Sequence, residues 1–468
     1  MKQGVVRVLL LLFVMLAGSG EWSVTAAASC VQPEAAPHPT FWYSNAGTSV
    51  CSDRMFNTFV GRFGSALKPQ LVAVVGCDVQ MFNLDGTMAQ RGQRYSLSAT
   101  WGGAGNDSHN THRLRDVAML DGFPYGMASL STEGWSLFKI TTSTSGVVTG
   151  FQTVDQYVFP GKPAQEYWAY GSKIWRGLDG RAYIVGRYLD KTSRDFRICD
   201  LGNGSATPTL AVKSTLTDAS LSSVFDVVTV GNVIYLLQWS AGGVRVFDVS
   251  DPSNPVFLVL ADDPGLNFLG TSTYMKFIWG PAVVNKGTES SPKWRAYTIA
   301  ASGTKLFIFD MNNPASPVKL AEQLIGEGGD ASGIDSDGKM VAISQEVMTD
   351  NLGNVLSTPK ARYYAVDNDQ FQEIPSNVRW YAHDGDADDD AGDIAVAPGD
   401  SQYKALRANL LFAYQDTVEV SCLSTAPTAS LTVARAAGMP GSPSCQAPTG
   451  AVKGFPGDGF VLTNQSSN

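Results

Sequence analysis

A six-residue run that returns seven times constrains this chain more than any other feature. It reads VQMFNL at 79–84, WSLFKI at 135–140 and FRICDL at 196–201, then VRVFDV at 244–249 and LFIFDM at 306–311. Weaker copies are RYYAVD at 362–367 and VEVSCL at 418–423. Each alternates apolar and other side chains, as a half-buried strand must. Copies mostly lie ~50–60 residues apart, the spacing of a repeat built from one supersecondary unit.

Other runs recur in step. A second strand-like run precedes each copy: LVAVVG, YGMASL, AYIVGRY, VIYLLQW, RAYTIAA, MVAIS and NLLFAY. Before that, some units carry a further run: RDVAML (115–120), FDVVTV (225–230), KFIWGP (276–281) and GDIAVAP (392–398). After the copy come turn residues and a fourth run, VVTGFQTV, TPTLAVK, PVFLVLA, PVKLAEQL or ASLTVAR. The clearest unit is FDVVTVGNVIYLLQWSAGGVRVFDVSDPSNP, Phe225 to Pro255, with turns at Gly231-Asn232 and Ala241-Gly242-Gly243.

A four-stranded antiparallel sheet cannot bury both faces alone. Stacking such sheets in a ring buries every face against a neighbour. The expected fold is therefore all-β: a single β-propeller of seven four-stranded blades, with six blades as the alternative. The first run of each unit should be innermost. Closure is expected to use a strand from one terminus, either Pro39–Tyr43 or the run from Gly459 to Leu462. The expected organisation is residues 1–28 as signal peptide, 29–60 as a loop-rich segment with a candidate closing strand, 61–435 as the propeller and 436–468 as a disulfide-linked tail. Charged residues at only 16%, with 47 Gly and 23 Pro, suit a turn-rich β protein.

Lys2 and Arg7 precede the apolar run VLLLLFVMLAG, and Ala26-Ala27-Ala28 follow. That order is a secretory signal, with a retained anchor as the alternative. A lipidated Cys30 is a further alternative. No other stretch resembles a membrane-spanning helix, and the expected location is secreted or cell-surface. Removing Lys2, Arg7 and Glu21 with residues 1–28 takes the net charge from −9 to about −10. An acidic chain without a Lys/Arg block is a poor nucleic-acid binder.

Outside the cytosol thiols oxidise, and the even count of six cysteines fits a disulfide set. Cys422–Cys445 closes a short loop and is the first expected pair; Cys51–Cys77 is the second. Asn106, Asn203 and Asn464 head glycosylation sequons.

The stretch HDGDADDDAGD offers Asp384, Asp386, Asp388, Asp390 and Asp393 as ligands for Ca²⁺. Alternating carboxylates can wrap one hard cation. The EF-hand pattern is incomplete, with Asp389 at the glycine position and Ala395 in place of the glutamate. A solvated acidic loop is the competing reading. His109, His112 and His383 lie in loops leading to inner strands and are the candidate catalytic or metal-binding histidines. Asp116, Asp226 and Asp393, with Asp335 as a fourth, begin inner strands. They can form a ring of carboxylates for a ligand, or bond the neighbouring blade and hold the ring in register. The tryptophans can stack on sugars at a channel mouth or pack between blades.

GNVIYLLQWSAGGVRVFDVSDPSNPVFL resembles the LVIVD repeat of surface-protein propellers, and GTKLFIFDMNNPASPVKL is its closest second copy, with Asp310, Asn312, Pro314 and Pro317 in place. The resemblance covers about 90 residues, two repeat units. It implies an extracellular or cell-surface propeller with no common activity and no catalytic residues to transfer. Within the motif, Asp248 and Asp251 read as turn-shaping residues. The expected function is a binding or scaffold module for an extracellular protein or glycan. The alternative is an extracellular hydrolase, lyase or oxidoreductase with a metal-assisted site at the channel mouth.

Overall fold

The protein is described by a computed structural model. It describes residues 55–64, 70–75, 78–83, 90–96, 114–130, 134–159, 172–189, 194–208, 210–217, 224–240, 242–267, 281–300, 305–325, 331–345, 348–349, 355–357, 360–366, 368–374, 390–396, 405–410, 417–421, 431–435 and 460–464.

Among the described residues of the first compact unit, 1–422, seven antiparallel sheets of three or more strands follow one another in chain order. Six have four strands, and the seventh has three described ones. All seven recurrent runs fall on third strands, from Asp78–Asn83 in the first sheet to Thr417–Ser421 in the last. The first strands are innermost. They are Met55–Gly61, Leu114–Ala118, Lys173–Arg176, Val224–Val230, Ala282–Asn285, Ala331–Ser336 and Asp390–Val396. The last of these lies against both Ala331–Ser336 and Met55–Gly61, which closes the ring.

The sheets become blades because side chains alternate between two interfaces. In the third blade, Ala182, Ile184 and Tyr188 join a core with Tyr125, Met127 and Trp135 of the second blade. The intervening Tyr183 and Val185 join Phe225, Ile234 and Leu236 of the fourth. The fourth blade repeats the switch, with Leu237 and Trp239 entering a core shared with the fifth and sixth blades. Burying both faces at ~25 cal/mol per Å² is what holds such a ring together. Strand parity therefore decides which neighbour a residue packs against.

Two turns of the clearest unit are built as its residues suggest. Val230 pairs with Val233 across Gly231-Asn232, and Gly231 has φ 60°. Glycine at the first position of a two-residue hairpin matches the strand twist. At Gly243, φ is 106° and an added Cβ would run into the Ala261 carbonyl. Gly134 meets the Tyr157 carbonyl in the same way in the second blade.

Several expectations are corrected. The first blade starts at Met55, inside the stretch 29–60 read as a loop-rich segment with a candidate closing strand. Its four strands come from consecutive chain, with none borrowed from the C-terminal end. The run ASLTVAR, read as the fourth strand of the seventh blade, holds Leu431–Arg435, which pairs with Phe460–Asn464. That hairpin belongs to the second compact unit, residues 423–468, so the closing strand proposed around 459–462 is engaged there. The fifth inner strand is Ala282–Asn285, just after KFIWGP. The last second strand is Ala405–Leu410, earlier than NLLFAY. A small hairpin, Met348–Thr349 with Val355–Ser357, is inserted in the sixth blade.

The cysteine reading also changes. Cys199 is a free, buried thiol between the second and third blades, so the six cysteines do not form a complete disulfide set. Burial pushes its pKa up to about 12, against a smaller opposing effect of Arg197.

Candidate functional site

Inner strands carry charge towards the channel. Lys173 opens the inner strand of the third blade, and its Nζ is 2.7 Å from Asp226 Oδ1 on the fourth. Burial raises the Asp226 pKa, and Lys173 opposes that rise. On the sixth blade, Asp335 Oδ2 accepts the Val396 N–H of the seventh at 2.7 Å. Burial pushes Asp335 up to about 7, with Asp337 adding to it and the Val396 and Ser336 N–H groups and Lys173 opposing. Lys173, Asp226 and Asp335 thus stand on the inner strands of the third, fourth and sixth blades. The geometry favours the register-keeping reading of these carboxylates: each is engaged by a neighbouring blade. Asp116 lies on the second inner strand, and Asp393 at a bulge between Ala391 and Ile394.

The turn after the third strand is a second polar cluster. Asp248 Oδ1 accepts the Ser250 N–H at 2.9 Å, and Ser250 Oγ accepts the Ile234 N–H at 3.0 Å. In the fifth blade Asp310 accepts from Asn312 N–H at 2.8 Å, and Asn312 Oδ1 accepts the Trp294 N–H at 2.9 Å. Asp251 accepts from Ser253 N–H and Asn254 Nδ2, bonds that hold its carboxyl below the ordinary range. The Asp and Ser/Asn positions of the motif therefore build turns, as the sequence implied.

Between the fifth and sixth blades lies an ionic seam. Arg295 Nη2 is 2.9 Å from Asp369 Oδ2, and its Nη1 is 3.2 Å from Asp310 Oδ2. Lys286 Nζ reaches Asp369 Oδ1 at 3.1 Å and donates to the Val366 carbonyl at 2.6 Å. Burial alone would raise Asp369; the bonds from Arg295 and Lys286 outweigh it and hold the carboxyl below its ordinary value. Asp369 has φ 55°, an uncommon region for any residue with a Cβ. Nothing in the sequence singled out Lys173 or Asp369.

The outer rim differs from blade to blade. Five described outer strands carry charge: Arg91 and Arg94, Asp155, Lys213, Lys319 and Glu322, and Glu373. The outer strand of the fourth blade, Val256–Ala261, reads VFLVLA and carries none. Val256, Phe257, Leu258 and Leu260 are 53%, 49%, 42% and 46% exposed. Native proteins blunt an edge strand with charge, because its free N–H and C=O groups template pairing with other chains. Here that charge is missing from the strand, and four of its six residues expose apolar side chains.

His109, His112, His383, Asp384, Asp386, Asp388, Cys51, Cys77, Cys422, Cys445 and Asn106 lie outside the described residues. Asp390 is on the seventh inner strand, and Asn464 on the strand Phe460–Asn464. Asn203 is exposed in a turn, its Oδ1 accepting from Ser205 N–H at 3.0 Å. Among the described residues no three His, Cys, Asp or Glu side chains are gathered as for a metal. Trp135, Trp175 and Trp239 are buried between blades, the packing role rather than the stacking one.

Seven sheets stacked face to face and closed inner strand to inner strand define a β-propeller. No family model matches the chain, and no curated protein matches it. Among solved structures, U3-55K aligns over 82% of this chain and 100% of its own, at 9% identity and TM-score 0.48. The β-propeller domain of Cps50 (Swd1) from Myceliophteria thermophila aligns over 79% and 100%, at 10% identity and TM-score 0.42. A protein from Lactobacillus plantarum aligns over 68% and 84%, at 12% identity and TM-score 0.43. The propeller assignment rests on the strand pairing and blade interfaces above, not on these likenesses. No helix among the described residues is long and apolar enough to cross a membrane.

Proposed function

We propose that this propeller is a protein-binding scaffold, secreted or held at the cell surface. The reading is carried by one observation: four large apolar side chains exposed on an uncharged outer edge strand. A solvent-facing cluster of this kind marks an interaction surface more often than it marks chance. Asp226 and Asp335 on the inner strands, and Asp248, Asp251 and Asp310 in the turns, are engaged within the ring, which turns attention to the rim. The apolar run behind Lys2 and Arg7 supports export.

Site-specific photocrosslinking tests this. A photoreactive residue at position 258, in protein recovered from its own medium or cell surface, should give one macromolecular adduct of defined mass. The same residue at position 322, on the charged edge of the fifth blade, should give none. No adduct at 258, or equal adducts at both positions, would remove the rim from the functional account.

A further inference from the structure

We infer that the outer strand Val256–Ala261 binds its partner by strand addition, and that the partner is an extended, proline-free segment with an apolar centre and basic flanks. This rests on the scaffold reading and names the partner's chemistry. Three observations carry it.

The first is the edge itself. Val256–Ala261 pairs with Gly243–Asp248 on its inner side, and no described strand pairs with it on the other. The register shifts once, with Leu258 as the extra residue opposite Val246 and Phe247, which leaves a regular run at Val259–Ala261 beside it. On an added strand, main-chain bonds would supply affinity while alternate side chains supply selectivity. The second is side-chain chemistry. Phe257 packs on Phe247 at 5.5 Å between ring centroids, and the Arg245 guanidinium stands 5.2 Å from the Phe257 ring. That fixes an apolar floor beside the edge, suited to a β-branched or aromatic side chain on the incoming strand.

The third is charge, which selects the occupant. Asp251 precedes the strand and Asp262 and Asp263 follow it, with Asp251 and Asp262 exposed. A strand added in either direction places its ends beside these carboxylates, so Lys or Arg at both ends is favoured. A second copy of this chain added antiparallel would bring its own Asp262 and Asp263 near Asp251. That juxtaposes like charges in a protein already at −9. Like charges opposed across a strand pair are destabilising. A foreign segment therefore fits better than a copy.

The test uses the full chain and random nine-residue peptides displayed on phage, selected at low salt. The expected winners have an alternating apolar centre, Lys or Arg at both ends and no proline. Synthesised and titrated by fluorescence anisotropy, they should bind at least about tenfold more weakly to Leu258→Lys/Leu260→Lys. Asp262→Lys should weaken them about threefold and flatten the salt dependence. N-methylating alternate peptide amides should abolish binding. The half-exposed positions of Leu258 and Leu260 let the double variant keep the wild-type melting temperature, which separates misfolding from loss of the site.

Winners that bind wild type and double variant equally, or that lack basic ends, overturn the proposal. So does a dimer in sedimentation that the double variant dissolves, because the occupant is then a second copy. If crosslinking at position 258 succeeds while these peptides fail, the scaffold reading stands and the strand-addition partner falls. If both fail, both fall.

Discussion

Blades four and five share their best-kept sequence and differ in where they put charge. Their turns share the bonds that join the third strand to the second. Val249 N–H reaches the Ile234 carbonyl at 2.8 Å, and Met311 N–H reaches the Trp294 carbonyl at 3.0 Å. Away from the turn the two diverge. Blade four holds a charge at the channel, Asp226 with Lys173, whereas the inner strand of blade five, AVVN, carries none. At the position facing the turn aspartate, blade four has Tyr235 and blade five has Arg295. On the rim, blade four has VFLVLA, and blade five has Lys319 and Glu322, with Lys305 at 2.6 Å from Glu322. The repeat thus fixes the hydrogen bonds that bend the chain and leaves channel, seam and rim free to vary.

The seam should show the largest difference. Arg295→Met removes a partner from two half-buried carboxylates, leaving Asp369 only Lys286, and should cost about 3 kcal/mol, as breaking a buried ion pair does. Urea unfolding measures it. Tyr235→Met, the matching change in blade four, should cost clearly less, since no ion pair breaks there. Equal losses would show that packing, not charge, holds the seam of blade five.

The channel comes next and is separated by pH. Lys173→Met leaves buried Asp226 without its counter-charge, and should cost about 2 kcal/mol at pH 8. The loss should shrink as pH falls, because Asp226, whose pKa burial raises, then takes up a proton. Asp335 tests the same physics on blade six. Its folded pKa of about 7 lies above the unfolded carboxylate value. Between the two, the folded chain holds a proton that the unfolded chain has lost, so stability falls as pH rises through that window. Asp335→Asn keeps an oxygen for the Val396 N–H and cannot ionise. It should flatten the melting temperature across this range and raise it at pH 8. A profile unchanged by the substitution would exclude Asp335 as its cause.

The turns should behave alike in both blades. Ser250→Ala strands the Ile234 N–H and Asn312→Ala strands the Trp294 N–H, each at about 1 kcal/mol in thermal unfolding. A large inequality would mean that the repeat motif does not do the same work in both units.

These levels differ in how legible they were. Third strands show in sequence because an apolar-rich run recurs at a steady spacing, even though Gly134–Thr142, Gly243–Asp248 and Lys305–Asp310 are buried on both faces rather than half-buried. Inner strands such as Lys173–Arg176 and Ala282–Asn285 are four residues long, too short for a clear period. Met55–Gly61 falls at the end of a stretch whose prolines and glycines read as loop. The Asp248–Ser250 turn was readable because its bonds are local. The Arg295–Asp369 pair spans 74 positions and depends on a backbone twist at Asp369 that nothing in the residue type announces. VFLVLA was legible as a strand and misleading as a surface, since an uninterrupted apolar run reads as buried on both faces. Only its place at the outside of the blade exposes it.

That point yields the smallest expected effect on folding and the sharpest test of the rim comparison. Glu322 bonds Lys305 and Lys319, but these groups are largely solvated, at 37% and 42% exposure. Exposed pairs of this kind contribute little to stability. Lys319→Val/Glu322→Val should therefore leave the melting temperature where it was. It would also strip blade five of the charges that discourage pairing and give it an edge like that of blade four. Solubility should fall, read as a lower precipitant concentration at the precipitation midpoint. Leu258→Lys/Leu260→Lys in blade four should raise that midpoint. If both double variants precipitate with the wild type, edge charge does not govern association here, and the contrast between the two rims has no consequence in solution.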